Sequence, residues 1–426
     1  MGRRHSLPPL SASWRHEPLS PVENDKVQRI LRACRDRDLD QLRELVISEG
    51  GLIEDEVRRT AWPILLGCDQ NQHADTIDWR SLPEHGDEHQ VELDVNRSFV
   101  YYPEDEAEER RNERKHELSE VIVGTLRRHP MLHYFQGYHD IVQVLLLVLG
   151  VNAAAPAVAR LSLLRIRDFM LPTMSGTEPH LDLIKAILYT VDPVLANQLS
   201  RTQPFFALSA TLTLYAHDIE AYGDIARLYD FLLASEAAMS LYLFAVIVMS
   251  RKEELRDVEA DEPEMLLVIL SKLPKPLDLE SLIRRTSEIF TQYPPERLSQ
   301  PPTSDWSLPG RAWSRVSANS VLKTTHADPH KLAKQSLSDG ESMFEKHAGE
   351  VKRAEAWKRQ MLQTRRLARR YQRPATYTAA AVVVAVTAVM LRRSSLRPFF
   401  AAWGPVWMGL QRRMSDLMQR ILTPPE

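Results

Sequence analysis

The sequence predicts an all-α fold: a multi-helix domain, then a linker and a C-terminal transmembrane helix. From about Glu23 to Thr291, apolar residues recur at spacings of three and four, the period of helices with one buried face. The sequence shows no alternating, glycine-punctuated strands, and glycine is sparse, with 15 residues in 426. We therefore expect roughly ten or more helices packed in one domain.

The helical stretches follow one another along the chain, with helix breakers between them. Residues 27–46 carry apolar side chains at helical spacing, and residues 117–130 keep an apolar face until Pro130, where a helix normally ends. Each of these stretches is predicted to be helical. Four later stretches show the same pattern: 179–191, 207–219, 225–235 and 237–250.

Two stretches of the domain are apolar nearly all round, residues 141–150 and 237–250. Both are shorter than the ~20 apolar residues that a transmembrane helix normally needs. We expect them to be helices buried on all sides within the domain.

A third apolar stretch, residues 375–391, has no charged residue over 17 positions. As a helix it spans roughly 25 Å at ~1.5 Å per residue, which suits a thin bilayer such as that of the endoplasmic reticulum. A polar linker and a basic run separate it from the domain, so it has no core to enter. We predict a single-pass C-terminal membrane anchor.

Basic residues on either side of this anchor predict its orientation. Residues 352–373 hold nine Lys or Arg and one acidic residue, whereas the 35 residues of the tail hold six Arg. Because the denser positive flank faces the cytosol, we expect the domain in the cytosol and the tail in the lumen. Residues 396–414 fit an interfacial amphipathic segment or the second arm of a hairpin; the positive-inside bias favours the single span.

Composition divides the chain into segments along its length. Ser/Pro/Arg-rich and Pro/Ser/Asp-rich stretches without apolar periodicity are typical of disorder and linkers. The predicted segments are a disordered N-terminus (1–22), the all-helical domain (23–299), a flexible linker (300–350), a basic juxtamembrane segment (351–374), the transmembrane helix (375–391) and a short tail (392–426).

Several function classes lack support in the sequence. A net charge of −3 gives no general attraction to nucleic acid, and Cys34 and Cys68 fit neither a disulfide framework nor a zinc site. Phosphate-binding, hydrolase and metalloprotease motifs do not occur, so we expect no cofactor and no metal. His133 and His139 lack a carboxylate cluster suited to a metal and are predicted to have surface or aromatic-packing roles.

Two short stretches remain as candidates for chemistry. In VELDVNRSF, Asp94 precedes Arg97 by three residues, so the carboxylate can hold the guanidinium on one face of a helical turn. In HYFQGYHDI, an uncharged Gln136 stands beside Gly137 at the start of an apolar helix. Alone, the first is typical of a surface ion pair and the second of a turn that caps a helix.

Together, these stretches resemble the TBC-domain GTPase-activating proteins for Rab GTPases. RRTAWPILLG (58–67) is similar to the family's N-terminal signature, VELDVNR (91–97) to its IxxDxxR motif and YFQG (134–137) to its YxQG motif. The resemblance covers roughly residues 45–300 and extends to the member anchored in the endoplasmic reticulum by its C-terminus. Departures are small: Val91 replaces Ile, and Leu228-Tyr229-Asp230 replaces an IWD-like element.

The resemblance implies a GTPase activator that is not itself the hydrolase. It makes Arg97 an arginine finger and Gln136 a glutamine that positions water, both supplied in trans to a GTP-bound Rab that carries Mg-GTP. Asp94, Tyr134 and Gly137 would support these two residues, and Arg58 and Trp62 would belong to the scaffold. The alternative is a catalytically silent, membrane-anchored scaffold that binds a Rab.

Overall fold

All regular structure in the described part of the chain is helical, as the sequence predicts. The computed structural model describes residues 18–68, 78–103, 106–202, 204–258, 263–299, 312–326 and 333–393, with the backbone alone at 201, 263 and 367–393. The α-helices are α1 (Pro21–Asp36), α2 (Leu39–Ile47), α3 (Asp55–Leu66), α4 (Glu88–Val95), α5 (Glu108–Arg128), α6 (Tyr138–Leu164), α7 (Glu178–Val191), α8 (Pro193–Gln198), α9 (Leu208–Leu212), α10 (Tyr222–Ala234), α11 (Met239–Ser250), α12 (Lys252–Arg256), α13 (Pro263–Leu270), α14 (Leu279–Gln292), α15 (Val321–His326) and α16 (Leu337–Arg393). Short 3-10 helices cover Trp79–Ser81, Arg167–Met170, Met174–Gly176, Leu199–Arg201, Pro204–Ala207, Pro295–Arg297 and Ala312–Arg315.

The first helix begins earlier than predicted. Ser20 and Glu23 form a capping box, in which each side chain accepts a hydrogen bond from the backbone of the other, and a proline occupies the first helical position. The predicted disorder of residues 1–22 is therefore wrong for residues 18–22. Residues 1–17 lie outside the described residues.

Helices α6 and α11 form the centre of the domain. Helix α6 packs against α3 and α5, and α11 packs against α7 and α14. In the part of the chain that the structure describes, α6 is the one helix long and apolar enough to cross a membrane, but 72% of its most apolar window is buried inside the domain. Both helices are core helices, as predicted, and α6 breaks at Gly150 (φ 71°), where the predicted apolar run ends.

A buried ion pair joins α3 to α10. The Arg58 guanidinium donates to Asp230 through Nε (3.0 Å) and Nη2 (2.9 Å), and Trp62 Nε1 donates to the same carboxylate at 2.8 Å. Arg58 and Trp62 therefore lie in the interior, as expected for residues of the scaffold. The Tyr229 ring lies 6.1 Å from the Trp62 ring, and its buried hydroxyl has no hydrogen-bond partner in the described structure.

The predicted flexible linker is wrong over most of its length. Residues 312–326 and 333–352 belong to the same compact unit as the domain, and Trp313, Leu322 and Phe344 are buried there. The polar composition is typical of a linker, but a few well-spaced apolar side chains are enough to dock such a segment on an existing core. Residues 300–311 and 327–332 lie outside the described residues.

A second unit begins at Arg353 and contains the rest of α16. The backbone is helical through the predicted transmembrane residues 375–391, whose side chains lie outside the description. Residues 394–426, including the predicted amphipathic segment 396–414, also lie outside the described residues.

Candidate functional site

A surface cleft of about 550 Å³ brings the two predicted catalytic residues together. Arg97 comes from the turn after α4, and Gln136 from the loop before α6. Both side chains line the cleft and are exposed, so both can reach a partner protein. The sequence separates them by 39 positions, and the packing of α4 beside the start of α6 closes this gap.

Asp94 holds the guanidinium of Arg97. Arg97 Nη2 donates to Asp94 Oδ1 at 2.7 Å, and Arg97 Nε donates to the Leu93 carbonyl at 3.3 Å. The carboxylate is buried while the guanidinium is 68% exposed. This arrangement directs an arginine outward from a fixed anchor.

The chain after Arg97 is held in an unusual conformation. Phe99 is buried at φ +60°, a region that bulky residues rarely adopt, and its backbone N–H donates to Gln143 Oε1 at 2.9 Å. Gln143 lies on α6 and is itself buried. It fixes the loop beside Arg97, and the sequence analysis did not single it out.

The Gln136 loop has similarly firm support. The Tyr134 backbone N–H donates to Asp87 Oδ2 at 2.9 Å, and the Phe135 ring packs on Tyr138. Gly137 has φ +99°, and a Cβ there would lie 2.5 Å from Thr213 Cγ2. A glycine is therefore required both by the backbone conformation and by the neighbouring side chain.

Tyr134 connects this loop to Asp94. Its hydroxyl lies 3.0 Å from Asp94 Oδ2 and 3.0 Å from His139 Nδ1. Burial, with Asp94 next to it, raises the pKa of the Tyr134 hydroxyl, so this group stays protonated and can donate. Two of the three predicted supporting residues, Asp94 and Tyr134, thus contact each other directly.

His139 departs from its predicted surface or aromatic-packing role. It is buried, and besides Tyr134 it contacts Asp140, whose Oδ1 lies 3.2 Å from His139 Nε2. Asp140 Oδ2 in turn lies 3.0 Å from His217 Nδ1, and this hydrogen bond raises the pKa of His217. The adjacent His139 and Asp140 of GYHD were visible in the sequence, but their partners on other elements were not.

The rim of the cleft carries apolar side chains, and metal-ligand groups are not clustered there. Val100, Tyr101 and Phe205 line the cleft and remain largely exposed. Among the residues that the structure describes, no group of three or more His, Cys, Asp or Glu is arranged to hold a metal ion. The cleft thus presents a cation and an amide within an apolar border, which suits contact with another protein.

Comparison with known proteins shows which family this chain belongs to. The Rab-GTPase-TBC domain profile matches residues 55–255, which include Arg97, Gln136 and the buried Arg58–Asp230 pair. The bovine TBC1 domain family member 20 is 40% identical over 280 residues, covering 65% of this chain and 69% of that protein. The chain belongs to the TBC family of Rab GTPase-activating proteins.

The human and Schizosaccharomyces pombe relatives agree with this membership. The human TBC1 domain family member 20 is 40% identical over 62% of this chain and 66% of its own length. The GTPase-activating protein gyp10 of Schizosaccharomyces pombe is 30% identical over 68% of this chain and 80% of its own length. The crystal structure of the Ypt/Rab-GAP domain of Gyp1p aligns with a TM-score of 0.48 and 16% identity, over 63% of this chain and 99% of that domain.

Proposed function

We propose that this TBC protein accelerates GTP hydrolysis on a Rab by inserting Arg97 and Gln136 beside the nucleotide, as arginine and glutamine fingers. The observation that carries the proposal is that both exposed side chains line one cleft, where the buried Asp94 holds Arg97 and where Tyr134 and Gly137 fix the loop of Gln136. Mg-GTP is carried by the Rab, so this chain needs no cofactor of its own.

Arg97 suits the stabilisation of charge in the transition state. Small GTPases hydrolyse GTP slowly because too little positive charge faces the phosphoryl oxygens, and an arginine finger raises the rate about 10³–10⁵-fold. The guanidinium is planar and permanently charged, and it offers parallel donors that lysine lacks. Nη2 and Nε of the guanidinium are engaged by Asp94 and Leu93, and the side chain lines the cleft.

Gln136 suits the positioning of the attacking water. A carboxamide can accept a hydrogen bond from the water and donate one to the γ-phosphate, without a negative charge that would repel phosphate. Gly137 lets the backbone approach closely, and the buried start of α6 makes the loop rigid.

The test is single-turnover GTP hydrolysis across a panel of purified Rabs with the full chain in detergent. We expect at least one Rab to respond to the wild-type protein, and the response to fall about 10³-fold or more with Arg97→Ala and to remain strongly reduced with Arg97→Lys. We expect Gln136→Ala to abolish most of the stimulation while its melting temperature stays unchanged, since Gln136 is exposed. Equal rates for wild type and Arg97→Ala on every Rab would contradict the activator proposal. The alternative, a membrane-anchored and catalytically silent scaffold that binds a Rab, would then remain.

The site of action follows from the predicted anchor. We infer that residues 375–391 span the endoplasmic reticulum membrane once, with the TBC domain in the cytosol, and that the target Rabs serve the endoplasmic reticulum and its traffic to the Golgi. Support comes from the uncharged run of 17 residues and from the denser basic flank on its N-terminal side.

A C-terminal glycosylation tag tests the anchor in microsomes. A lumenal tail acquires glycan, and Val384→Arg, near the middle of the apolar run, prevents this because a central arginine costs about 3 kcal/mol of insertion free energy. Val22→Arg, at an exposed position on α1, serves as a control for the added charge. An unmodified tail combined with carbonate-extractable protein would contradict the anchor.

A further inference from the structure

Hydrogen-bonding groups lead from Arg97 into the interior through Asp94, Tyr134 and His139. We propose that His139 is a positioning residue for Arg97: it turns the hydroxyl hydrogen of Tyr134 toward Asp94 and so keeps the carboxylate, with the guanidinium on it, in place. This inference rests on the proposed role of Arg97 as a finger.

The hydrogen atoms available in this hydrogen-bond network decide what His139 has to supply. A carboxylate only accepts, so the single hydroxyl hydrogen of Tyr134 must point at Asp94 Oδ2, 3.0 Å away. The Tyr134 oxygen must then accept from His139 Nδ1, also at 3.0 Å. At the other edge of the ring, Nε2 lies 3.2 Å from Asp140 Oδ1, an ion-pair distance when the ring is protonated. Only the doubly protonated imidazolium of His139 both donates to Tyr134 through Nδ1 and carries a hydrogen on Nε2 beside Asp140.

Each neutral tautomer of His139 loses one of these contacts. With hydrogen on Nδ1 alone, the Nε2 lone pair faces the Asp140 carboxylate. With hydrogen on Nε2 alone, the Tyr134 hydroxyl donates to His139 Nδ1. The lone pairs of the Tyr134 oxygen then face Asp94 Oδ2. Because Asp94 is 1% exposed, water cannot replace the lost donor, and the carboxylate that holds Arg97 is left with an unpaired oxygen.

The protonation of His139 is therefore linked to the finger. Burial, the largest effect, lowers the pKa of His139; the carboxylates of Asp140 and Asp94 oppose this, and the cationic forms of His217 and Arg97 add to it. The imidazolium thus forms as the pH falls below the ordinary histidine range. At low pH, Nδ1 therefore always carries the hydrogen that it donates to Tyr134. The stimulated rate should rise as the pH falls from 8 to 6.

The experiment measures kcat and KM for the most responsive Rab with the full chain, at several pH values between 6 and 8. Tyr134→Phe removes only the hydroxyl that links His139 to Asp94, and His139→Ala removes the whole ring. For both variants we expect kcat to fall about tenfold, with KM changed less than about twofold and the pH dependence lost. Rates are expressed relative to the intrinsic rate of the Rab at each pH.

A double-mutant cycle separates this inference from the proposed function. If His139 acts through Arg97, His139→Ala has no further effect in the Arg97→Ala background. Unchanged rates for Arg97→Ala overturn the finger and this proposal together. A reduced rate for Arg97→Ala, combined with wild-type kcat and pH dependence for Tyr134→Phe, overturns this proposal alone.

His129 provides the matched control. It is another buried histidine beside a carboxylate, with Nδ1 2.7 Å from Glu341 Oε1, but it does not line the cleft. His129→Ala should lower the melting temperature while leaving kcat and its pH dependence as in the wild type. The same loss of pH dependence in His129→Ala and His139→Ala would indicate a general effect on the fold and would contradict the proposal.

Discussion

Arg97 and Asp94 form an ion pair whose two members differ sharply in exposure: Nη2 lies 2.7 Å from Oδ1, with the arginine 68% and the aspartate 1% exposed. The Tyr134 hydroxyl, 3.0 Å from Oδ2, and Gln90 Nε2, 3.2 Å from Oδ1, also donate to the carboxylate. Ion pairs with an exposed member typically stabilise a fold by at most about 1 kcal/mol. The pair therefore serves mainly to direct the arginine toward the cleft.

Asp94→Asn tests this directional role. Asparagine keeps the shape but removes the charge, so the charge-assisted bond to Arg97 is weakened and the guanidinium samples other orientations. We expect kcat for the stimulated reaction to fall about tenfold, with KM for the Rab changed less than about twofold. Steady-state hydrolysis at several Rab concentrations measures both.

Glu113→Gln is the control for Asp94→Asn, because Glu113 pairs with Arg110 at the same spacing of three residues but on an exposed helix face. We expect no change in kcat and less than about 0.5 kcal/mol in the free energy of unfolding. A wild-type kcat for Asp94→Asn would show that Arg97 needs no anchor.

Gly137→Ala should damage both the loop and the activity. The added Cβ meets Thr213 Cγ2 at 2.5 Å in a backbone conformation at φ +99°, so the free energy of unfolding should fall by about 1–3 kcal/mol. The displaced Gln136 should lose its effect on hydrolysis. Urea unfolding and single-turnover rates measure the two effects.

Thr213→Ser, which keeps the hydroxyl that donates to the Ser209 carbonyl, separates the two causes in Gly137→Ala. Removing the methyl group relieves the close contact but not the backbone strain, so the double variant should recover part of the lost stability. Wild-type stability for Gly137→Ala alone would contradict the assigned geometry.

Truncation after Ser299 should destabilise the TBC domain, whereas truncation after Lys352 should not. The shorter chain removes Ser320 and His347 from the buried carboxylate of Asp168, and it uncovers the groove filled by Trp313. Asp168 then keeps His180 at 2.9 Å but loses these other partners, and breaking a buried charged pair typically costs 3–5 kcal/mol. Thermal melting compares the two fragments, and equal melting temperatures would show that residues 312–352 add nothing to stability.

His326 should make the docking of this C-terminal segment dependent on pH. Its hydrogen bond to Glu236 is the main cause of a raised pKa, assisted by Glu296 and opposed by burial. Because the folded-state pKa lies above the unfolded value of about 6.5, the stabilisation is complete below that pH and is lost as the pH rises through the folded-state pKa.

The measurement for His326 is urea unfolding of wild type and His326→Gln at pH 6 and pH 9. The difference in unfolding free energy between the two proteins should be largest at pH 6 and shrink at pH 9. A difference that is equal at both values would show that the ring acts through packing alone, for example against Trp313.

The sequence predicted those features that depend on neighbours along the chain. The period of apolar residues predicted the helices, and the nearly uniform apolar runs predicted that α6 and α11 would be buried. It misjudged residues 312–326 and 333–350, because a polar segment with few apolar anchors has no clear apolar face to detect. The boundary near Pro21 was also missed, although the capping box was present in the sequence.

By itself, the sequence determined the helical architecture, the family resemblance and the identity of Arg97 and Gln136 as the candidate pair. Only the tertiary structure decided how they are supported. Asp94 and Tyr134 are 40 residues apart, and Asp140 and His217 are 77 apart. Hydrogen bonds over such separations depend on how helices pack, and local periodicity, which reports only which face of each helix is buried, carries no information about them.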